Sequence, residues 1–309
     1  MRIRLGTRGS ELARTQSGLV ADALRRLGHE VELVIVRTEG DTNRASLRSL
    51  GGLGVFAAAL RAAVLAGDVD IAVHSCKDLP VAPVDGLAIA AMPSRADDRD
   101  VLVGAPTLAD LPPDARVGTG SPRRGAQVLA ARPDVRIIDI RGNVGTRIGY
   151  VRDGELDAVV LAAAGLSRLG LFADGAAGGV PGGVLDLWPA PAQGALAIEC
   201  RADDAGVGSA LAPLDDPATR LAVTAERAVL AGLQAGCAAP VGVRSSVTDG
   251  HYRLSVRVWS EDGTRSLTAS RTIPRPDADP DDLGRRLSSD LIVQGAAEIC
   301  DLRGTSVRR

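Results

Sequence analysis

The sequence predicts a multidomain α/β protein: two lobes built on strand–helix–strand units, followed by a small α+β domain with a three-stranded antiparallel sheet. Three observations carry that prediction. Short apolar runs alternate with stretches of helical period from residue 3 to residue 74, and the same rhythm restarts after the polar stretch Ser94 to Asp100. Beyond Asp216 the pattern changes to clean two-residue alternation between turn dipeptides. At 309 residues the chain also exceeds what one core usually supports.

Ile3 to Gly6 reads as a strand running into Thr7-Arg8-Gly9-Ser10. Leu12, Gln16, Leu19, Val20, Leu24 and Leu27 then recur at helical spacing, with Ser10 placed to cap. Val31 to Val36 is the second strand. A glycine-rich turn, Gly51-Gly52-Leu53-Gly54, leads into an alanine-rich helix, and Ile71 to His74 reads as a buried strand. The second lobe reads as strand Arg116 to Gly118, helix from Ser121, strand Val135 to Ile140, helix from Asn143 and strand Ala158 to Leu161. Gly175 to Pro191, dense in Gly and Pro, reads as loop, and Ala195 to Cys200 as an apolar strand that returns to the first lobe. Asp216-Pro217 starts a helix, the Asp capping and the Pro in the first position, with Leu221, Ala225, Ala228, Val229 and Leu233 on one face. In the last domain Tyr252, Leu254, Val256 and Val258 share one side of a strand. Asp249-Gly250 and Asp262-Gly263 make its turns, and a final helix runs from the region of Asp281. In α/β folds ligands bind in a crevice where strand C-termini meet helix N-termini, and Arg8 and Ser121 fall at such junctions.

Composition narrows the function. The N-terminus lacks the apolar stretch of a secretory signal and the four cysteines are scattered, which points to the cytoplasm and free thiols. The longest apolar run, Ala158 to Leu166, is far short of the ~20 residues of a membrane span. A net charge of −2 and 2% aromatic residues argue against a nucleic-acid binder. His29, His74 and His251 are far apart and no cysteine pair has chelating spacing, so no metal is assigned. Of the 36 basic residues only Lys77 is a lysine; a drift toward arginine that spared one site accounts for this as well as a functional role does.

The chemistry concentrates at strand ends. Between Leu111 and Gly170 nine arginines face six acids, a local balance of +3. Arg123 and Arg124 follow Gly118-Thr119-Gly120-Ser121 at a strand-to-helix turn, where backbone N–H groups, hydroxyls and guanidinium forks converge on an anion. A lone turn of this kind is usually a solvated helix face. Here Arg141-Gly142-Asn143 with Arg147 occupies the next turn, and Arg8-Gly9-Ser10 the first turn of the other lobe. Val73 to Asp78 leaves a buried strand and breaks at Pro80, placing Lys77 and Asp78 side by side at a crevice rim, with Asp78 suited to acid or base work. Cys237, between a helix and Pro240, sits on a loop where a thiol can be modified, although a lone cysteine is usually core filler.

Gly6-Thr7-Arg8-Gly9-Ser10, VHSCKDLP, GTGSPRR, RGNVGTR, AGLSRLGL, PAQGAL with ECR, and AGCAAP resemble, in order and spacing from residue 6 to 240, the motifs of the hydroxymethylbilane synthase (porphobilinogen deaminase) family. The resemblance implies two periplasmic-binding-protein-like α/β lobes flanking a crevice (1–95 with 192–215, and 99–190) and a C-terminal α+β domain (216–309) carrying the cysteine loop. It implies a cytoplasmic, monomeric transferase of tetrapyrrole (haem) biosynthesis. Such an enzyme deaminates porphobilinogen, adds four units head to tail to a covalent dipyrromethane cofactor, and releases hydroxymethylbilane by hydrolysis. By the same carry-over Cys237 forms the thioether to the cofactor and Asp78 is the catalytic carboxylate. Lys77, Arg8, Ser10, Thr119, Ser121, Arg123, Arg124, Arg141, Gly142, Asn143, Arg147, Arg168 and Gln193 hold cofactor or substrate. Each pyrrole brings an acetate and a propionate, and guanidinium forks grip carboxylates bidentately while staying charged. Two departures stand out: Ser49 and Leu53 replace lysines common in the family's glycine-rich loop, and Gly120 replaces a serine before the paired arginines.

Two rival readings fit part of the same pattern. A two-lobed protein that closes on an anionic solute without chemistry needs neither Cys237 nor Asp78, and the export signal expected of an extracytoplasmic binder is missing. A Schiff-base enzyme would use Lys77.

Overall fold

The computed structural model describes residues 1–36, 54–236 and 239–303. They form two compact units, Met1–Ala96 with Gly194–Arg220 and Asp97–Gln193 with Leu221–Arg309.

The first unit holds a five-stranded sheet. Its strands are β1 (Arg2–Thr7), β2 (Glu30–Ile35), β3 (Ile71–Ser75), β4 (Leu87–Ala91) and β12 (Leu196–Arg201), in the order β2-β1-β3-β12-β4. β1 is parallel to both β2 and β3, and β12 runs antiparallel to β3 and β4. One sheet face buries Ile3, Leu5, Ile71, Val73 and Ile198 against Val20 and Leu24 of α1 (Glu11–Arg26) and Val207 and Leu211 of α6 (Ala205–Leu211). The other face packs Ala72 with Leu60 and Val64 of α2 (Gly54–Leu65). Apolar burial on both faces is what a mixed sheet with helices on either side demands. The glycine-rich turn expected before α2, with Ser49 and Leu53, lies outside the described residues save for Gly54.

In the second unit a seven-stranded sheet is built from β5 (Asp100–Val103), β6 (Arg116–Gly118), β7 (Arg136–Ile138), β8 (Ala158–Ala162), β9 (Phe172–Ala173), β10 (Ala176–Ala177) and β11 (Val180–Leu185). Their order is β7-β6-β8-β5-β11-β10-β9, with β6 parallel to β7 and β8, and β5 antiparallel to β8. Val128 of α3 (Pro122–Ala131) covers Val117 and Val160 on one face. Ile148 of α4 (Val144–Arg152) and Leu166 of α5 (Ala163–Arg168) cover Val159 and Leu161 on the other. The stretch from Gly175 to Pro191, expected to be loop, contains β10 and β11. Its glycines are there for close approach: a Cβ on Gly182 would stand 2.6 Å from the Leu102 carbonyl oxygen, and one on Gly183 would stand 1.9 Å from that of Pro106. β4 and β5 were likewise not foreseen, being short runs inside polar or alanine-rich surroundings.

α7 (Pro217–Gly232) begins as expected, with Asp216 accepting from Thr219 N at 2.7 Å. The meander of β13 (Val241–Thr248), β14 (His251–Trp259) and β15 (Ser266–Pro274) follows. Asp249 and Gly250 both take positive φ, 49° and 74°, the conformation of a type I′ hairpin turn. Tyr252, Leu254, Val256 and Val258 are buried together with Leu283, Leu287 and Leu291 of α8 (Pro280–Val293). α9 (Ala296–Ile299) closes the described chain. Among the described residues no helix is long and apolar enough to cross a membrane, no metal-binding cluster occurs, and Cys76, Cys200 and Cys300 form no disulfide.

Candidate active site

In the first unit β1 and β3 are parallel neighbours, Leu5 opposite Ile71 and Gly6 opposite Ala72. Arg8 and Ser10 therefore leave the sheet at the same edge as Cys76, Lys77 and Asp78. This is also where the strand order reverses, β2 lying on one side of β1 and β3 on the other. Ser10 caps α1, its Oγ accepting from Ala13 N at 3.4 Å. Gln16 donates to Ser75 Oγ at 2.9 Å and Ser17 donates to Thr7 Oγ1 at 2.8 Å, which ties the start of α1 to the ends of both strands. Asp78 completes a single 3-10 turn (Cys76–Asp78) in which Leu79 N donates to Cys76 O at 3.1 Å and Cys76 N donates to Ala195 O at 3.0 Å. Lys77 and Asp78 are both half-buried. Behind them lies a buried ionic group: Arg61 grips Glu199 through Nε at 2.9 Å and Nη2 at 2.8 Å, with His74 Nε2 at 3.2 Å from Glu199 Oε2. Burial pushes the Glu199 carboxyl up, but hydrogen bonds from His74 and Arg61 outweigh it and bring it down to about 2.

In the second unit β6, β7 and β8 are parallel, so three turns leave one sheet edge: Thr119 to Arg124, Asp139 to Arg147, and the short helix ending at Arg168. Ser121 is the N-cap of α3 and Pro122 its first residue, leaving backbone N–H groups at that end for an anion. Thr119 Oγ1 accepts from Ser121 N at 3.2 Å. Arg123 and Arg124 turn inward rather than out, 3% and 6% exposed, and both bind the fully buried Asp100 at 2.9 and 2.7 Å. Arg124 also donates to Val160 O at 3.1 Å, and Arg123 to Trp188 O. Gln193, itself buried, donates to Asp98 O at 2.6 Å and Asp100 Oδ1 at 2.9 Å. Burial raises the Asp100 carboxyl, and the two arginine charges outweigh it, holding it far below the usual carboxylate range.

The next turn is organised by its own side chains. Asn143 caps α4, its Oδ1 accepting from Thr146 N at 2.8 Å; Gly142 has φ +114°; Arg147 Nε donates to Gly142 O at 2.9 Å. Arg141 is exposed and 3.3 Å from Asp139. Arg168 is half-buried, and burial pulls its guanidinium below the ordinary value. The structure thus gathers Arg123, Arg124 and Gln193 around one carboxylate, and groups Arg141, Gly142, Asn143 and Arg147 in one turn. Cys237 lies outside the described residues. Sequence reasoning missed Asp100, Glu199 and Arg61. The signal for Asp100 was a carboxylate opening the apolar run Val101 to Val103, where an acid persists only if paired.

Two guanidiniums against one carboxylate leave a positive charge inside the second unit, beside helix N-termini that also favour anions. The class is therefore a multidomain α/β protein with arginine-bearing strand ends suited to carboxylated ligands. Residues 3–209 match the family described as "Porphobilinogen deaminase, dipyromethane cofactor binding domain", and residues 220–292 match "Porphobilinogen deaminase, C-terminal domain". The chain is 53% identical to porphobilinogen deaminase 1 of Streptomyces coelicolor over 96% of each chain, and 49% identical to the porphobilinogen deaminase of Cutibacterium acnes over 99% of each. An ABC-transporter periplasmic substrate-binding protein from Coxiella burnetii aligns with 72% of this chain and 96% of its own, at 15% identity and a TM-score of 0.39.

The chain belongs to the porphobilinogen deaminase family. Its activity is that of a hydroxymethylbilane synthase, a transferase of tetrapyrrole synthesis, and its cofactor is dipyrromethane. The paired arginines fit such a group, because a carboxylated pyrrole supplies the negative charge that Asp100 alone does not. The non-catalytic solute-binder reading is not favoured.

Proposed function

We propose that Asp78 is the catalytic carboxylate, that Cys237 carries the cofactor as a thioether, and that the strand-end arginines hold the carboxylates of cofactor and substrate. When bound, the dipyrromethane supplies the nucleophilic pyrrole position to which porphobilinogen units are added. The half-buried Asp78 stands on a turn fixed by Cys76, Leu79 and Ala195. There its carboxylate stabilises positive charge on a pyrrole nitrogen and assists protonation of the departing amine, and the fixed turn spares reorganisation during the step. Lys77 and Arg8, at the same sheet edge, bind acetate and propionate groups by charge-assisted hydrogen bonds. Arg141, Arg147 and Arg168, with Ser121 and the backbone N–H groups of α3, do the same in the second unit. Thr119, Gly142, Asn143 and Gln193 shape the turns that carry them. Four units condense in sequence before hydroxymethylbilane is released by hydrolysis.

The observation that carries this reading is the buried pair Arg123 and Arg124 on a single carboxylate, at the head of three parallel strand ends that each lead to arginine. On the same reading the enzyme works in the cytoplasm as a monomer. Intact-protein mass spectrometry tests the attachment: a mass excess equal to dipyrromethane on the Cys237 peptide, lost in Cys237→Ser. Asp78→Asn is expected to keep that excess and lose turnover by ~10²–10⁴-fold. Near-normal product formation by this variant would remove Asp78 from the mechanism.

A further inference from the structure

The two tryptophans of the chain meet in one place, Trp188 after β11 and Trp259 at the end of β14, with ring centroids 6.2 Å apart and planes at 76°. Two guanidiniums from the C-terminal sheet sit on the Trp188 ring, Arg257 at 4.7 Å and Arg244 at 5.0 Å from its centroid. Both are held in turn: Arg257 donates to Thr268 Oγ1 at 2.8 Å, and Arg244 pairs with Asp186. The seat is tight, because a Cβ on Gly242 of β13 would stand 2.6 Å from Trp188 Cβ, and Val243 N donates to Pro189 O at 2.9 Å.

The main chain of the same residue faces the arginine helix. Trp188 N donates to Gln127 Oε1 at 2.7 Å, and its carbonyl accepts from Gln127 Nε2 at 3.1 Å and from the Arg123 guanidinium. Arg123 therefore has two anchors, Asp100 and the Trp188 carbonyl, and only the first lies within the lobe's own strands. We propose that Trp188 is a positioning residue through which the C-terminal sheet sets the Arg123 guanidinium, and with it the affinity for substrate carboxylates. A side chain clamped by two cations and an edge-on ring fixes its own peptide plane. Loosening that clamp frees the carbonyl that aims Arg123.

The inference rests on the reading of Arg123 as serving the carboxylate site, and the test separates the two. Arg257→Gln touches no ligand-holding residue; in the holoenzyme it is expected to raise the porphobilinogen KM about tenfold with kcat within about twofold, as is Trp188→Ala. Trp188→Phe, which keeps a ring for the guanidiniums, is expected to recover most of the affinity. Arg123→Gln should raise KM and lower dipyrromethane occupancy by intact mass, and adding Arg257→Gln to it should cost nothing further, because coupled residues are not additive. In a Trp259→Phe background Trp188 is the sole indole, so Arg123→Gln should shift its fluorescence emission whether or not the enzyme turns over.

Wild-type KM in folded Arg257→Gln, effects that multiply in the double variant, or an unmoved emission would each overturn the coupling. Should Trp188→Ala fail to fold, Arg257→Gln alone carries the comparison. Wild-type KM and occupancy in Arg123→Gln would instead overturn the reading of Arg123, leaving the fluorescence result to judge the contact.

Discussion

Gly120 shows how one atom decides what a position can be. A Cβ there would stand 2.8 Å from the Ile140 carbonyl oxygen, the start of the Arg141 turn, so the two arginine-bearing turns touch through a glycine. Serine, common in the family at this place, would force them apart. Gly120→Ser is therefore expected to lower stability by ~1–3 kcal/mol and to raise KM. An unchanged Tm together with an unchanged KM would show that the turn adapts without cost. Among single residues, the place of Lys77 and Asp78 just after a buried strand was legible because it is local in the chain. Asp100 was not, since its two partners lie 23 and 24 positions away and only the folded sheet joins them. The inward turn of Arg123 and Arg124 was hidden for the same reason: the sequence around a helix start does not show which counter-ion a guanidinium meets. Asn143, read as a ligand contact, has its side chain engaged as a helix cap.

At the scale of elements, the buried group Arg61, His74 and Glu199 fastens α2, β3 and β12, because each supplies one member. Glu199 is depressed in the folded state to about 2 from its ordinary 4.5. Its contribution to stability is therefore complete above the unfolded value and lost as pH falls from there toward 2. Glu199→Gln should cost ~3–5 kcal/mol at neutral pH, since it leaves Arg61 buried and unpaired. It should also flatten the fall in stability across that acid window. Urea melts of both proteins from neutral pH to pH 3 check this, and parallel pH profiles would show that Glu199 is not the group responsible. Strands with strong apolar runs and helices with clear caps, such as those after Ser10 and Asn143, were legible. β11 was not, because Val180–Leu185 carries the glycines that its close neighbours require and so resembles a loop. β4, with alanines at Ala88, Ala90 and Ala91, lacks the β-branched signal that marks a strand.

Over the whole molecule each of the two α/β sheets contains three parallel strands in one spatial order, β2-β1-β3 in the first unit and β7-β6-β8 in the second, and a further strand runs antiparallel beside the last of them. That strand is β12 in the first unit and β5 in the second. β12 comes from the far side of the second lobe's sequence, so local pattern could identify the strand while its place between β3 and β4 needed the fold. Charge is distributed as unevenly as the strands. The chain carries −2 overall, yet the stretch from Leu111 to Gly170 carries +3. Part of that stretch's positive charge is exposed, as at Arg141, whereas the Asp100 cluster is buried. Salt screens exposed charges beyond ~10 Å at 0.1 M and buried ones far less. Raising ionic strength from ~0.05 to ~0.5 M should therefore increase the porphobilinogen KM severalfold, leave kcat nearly constant and keep the dipyrromethane attached. The Tm should move little, because surface ion pairs are worth ~0–1 kcal/mol each. A KM indifferent to salt would mean that the exposed arginines do not meet the substrate and that its carboxylates are held by the buried pair and the helix N-termini alone.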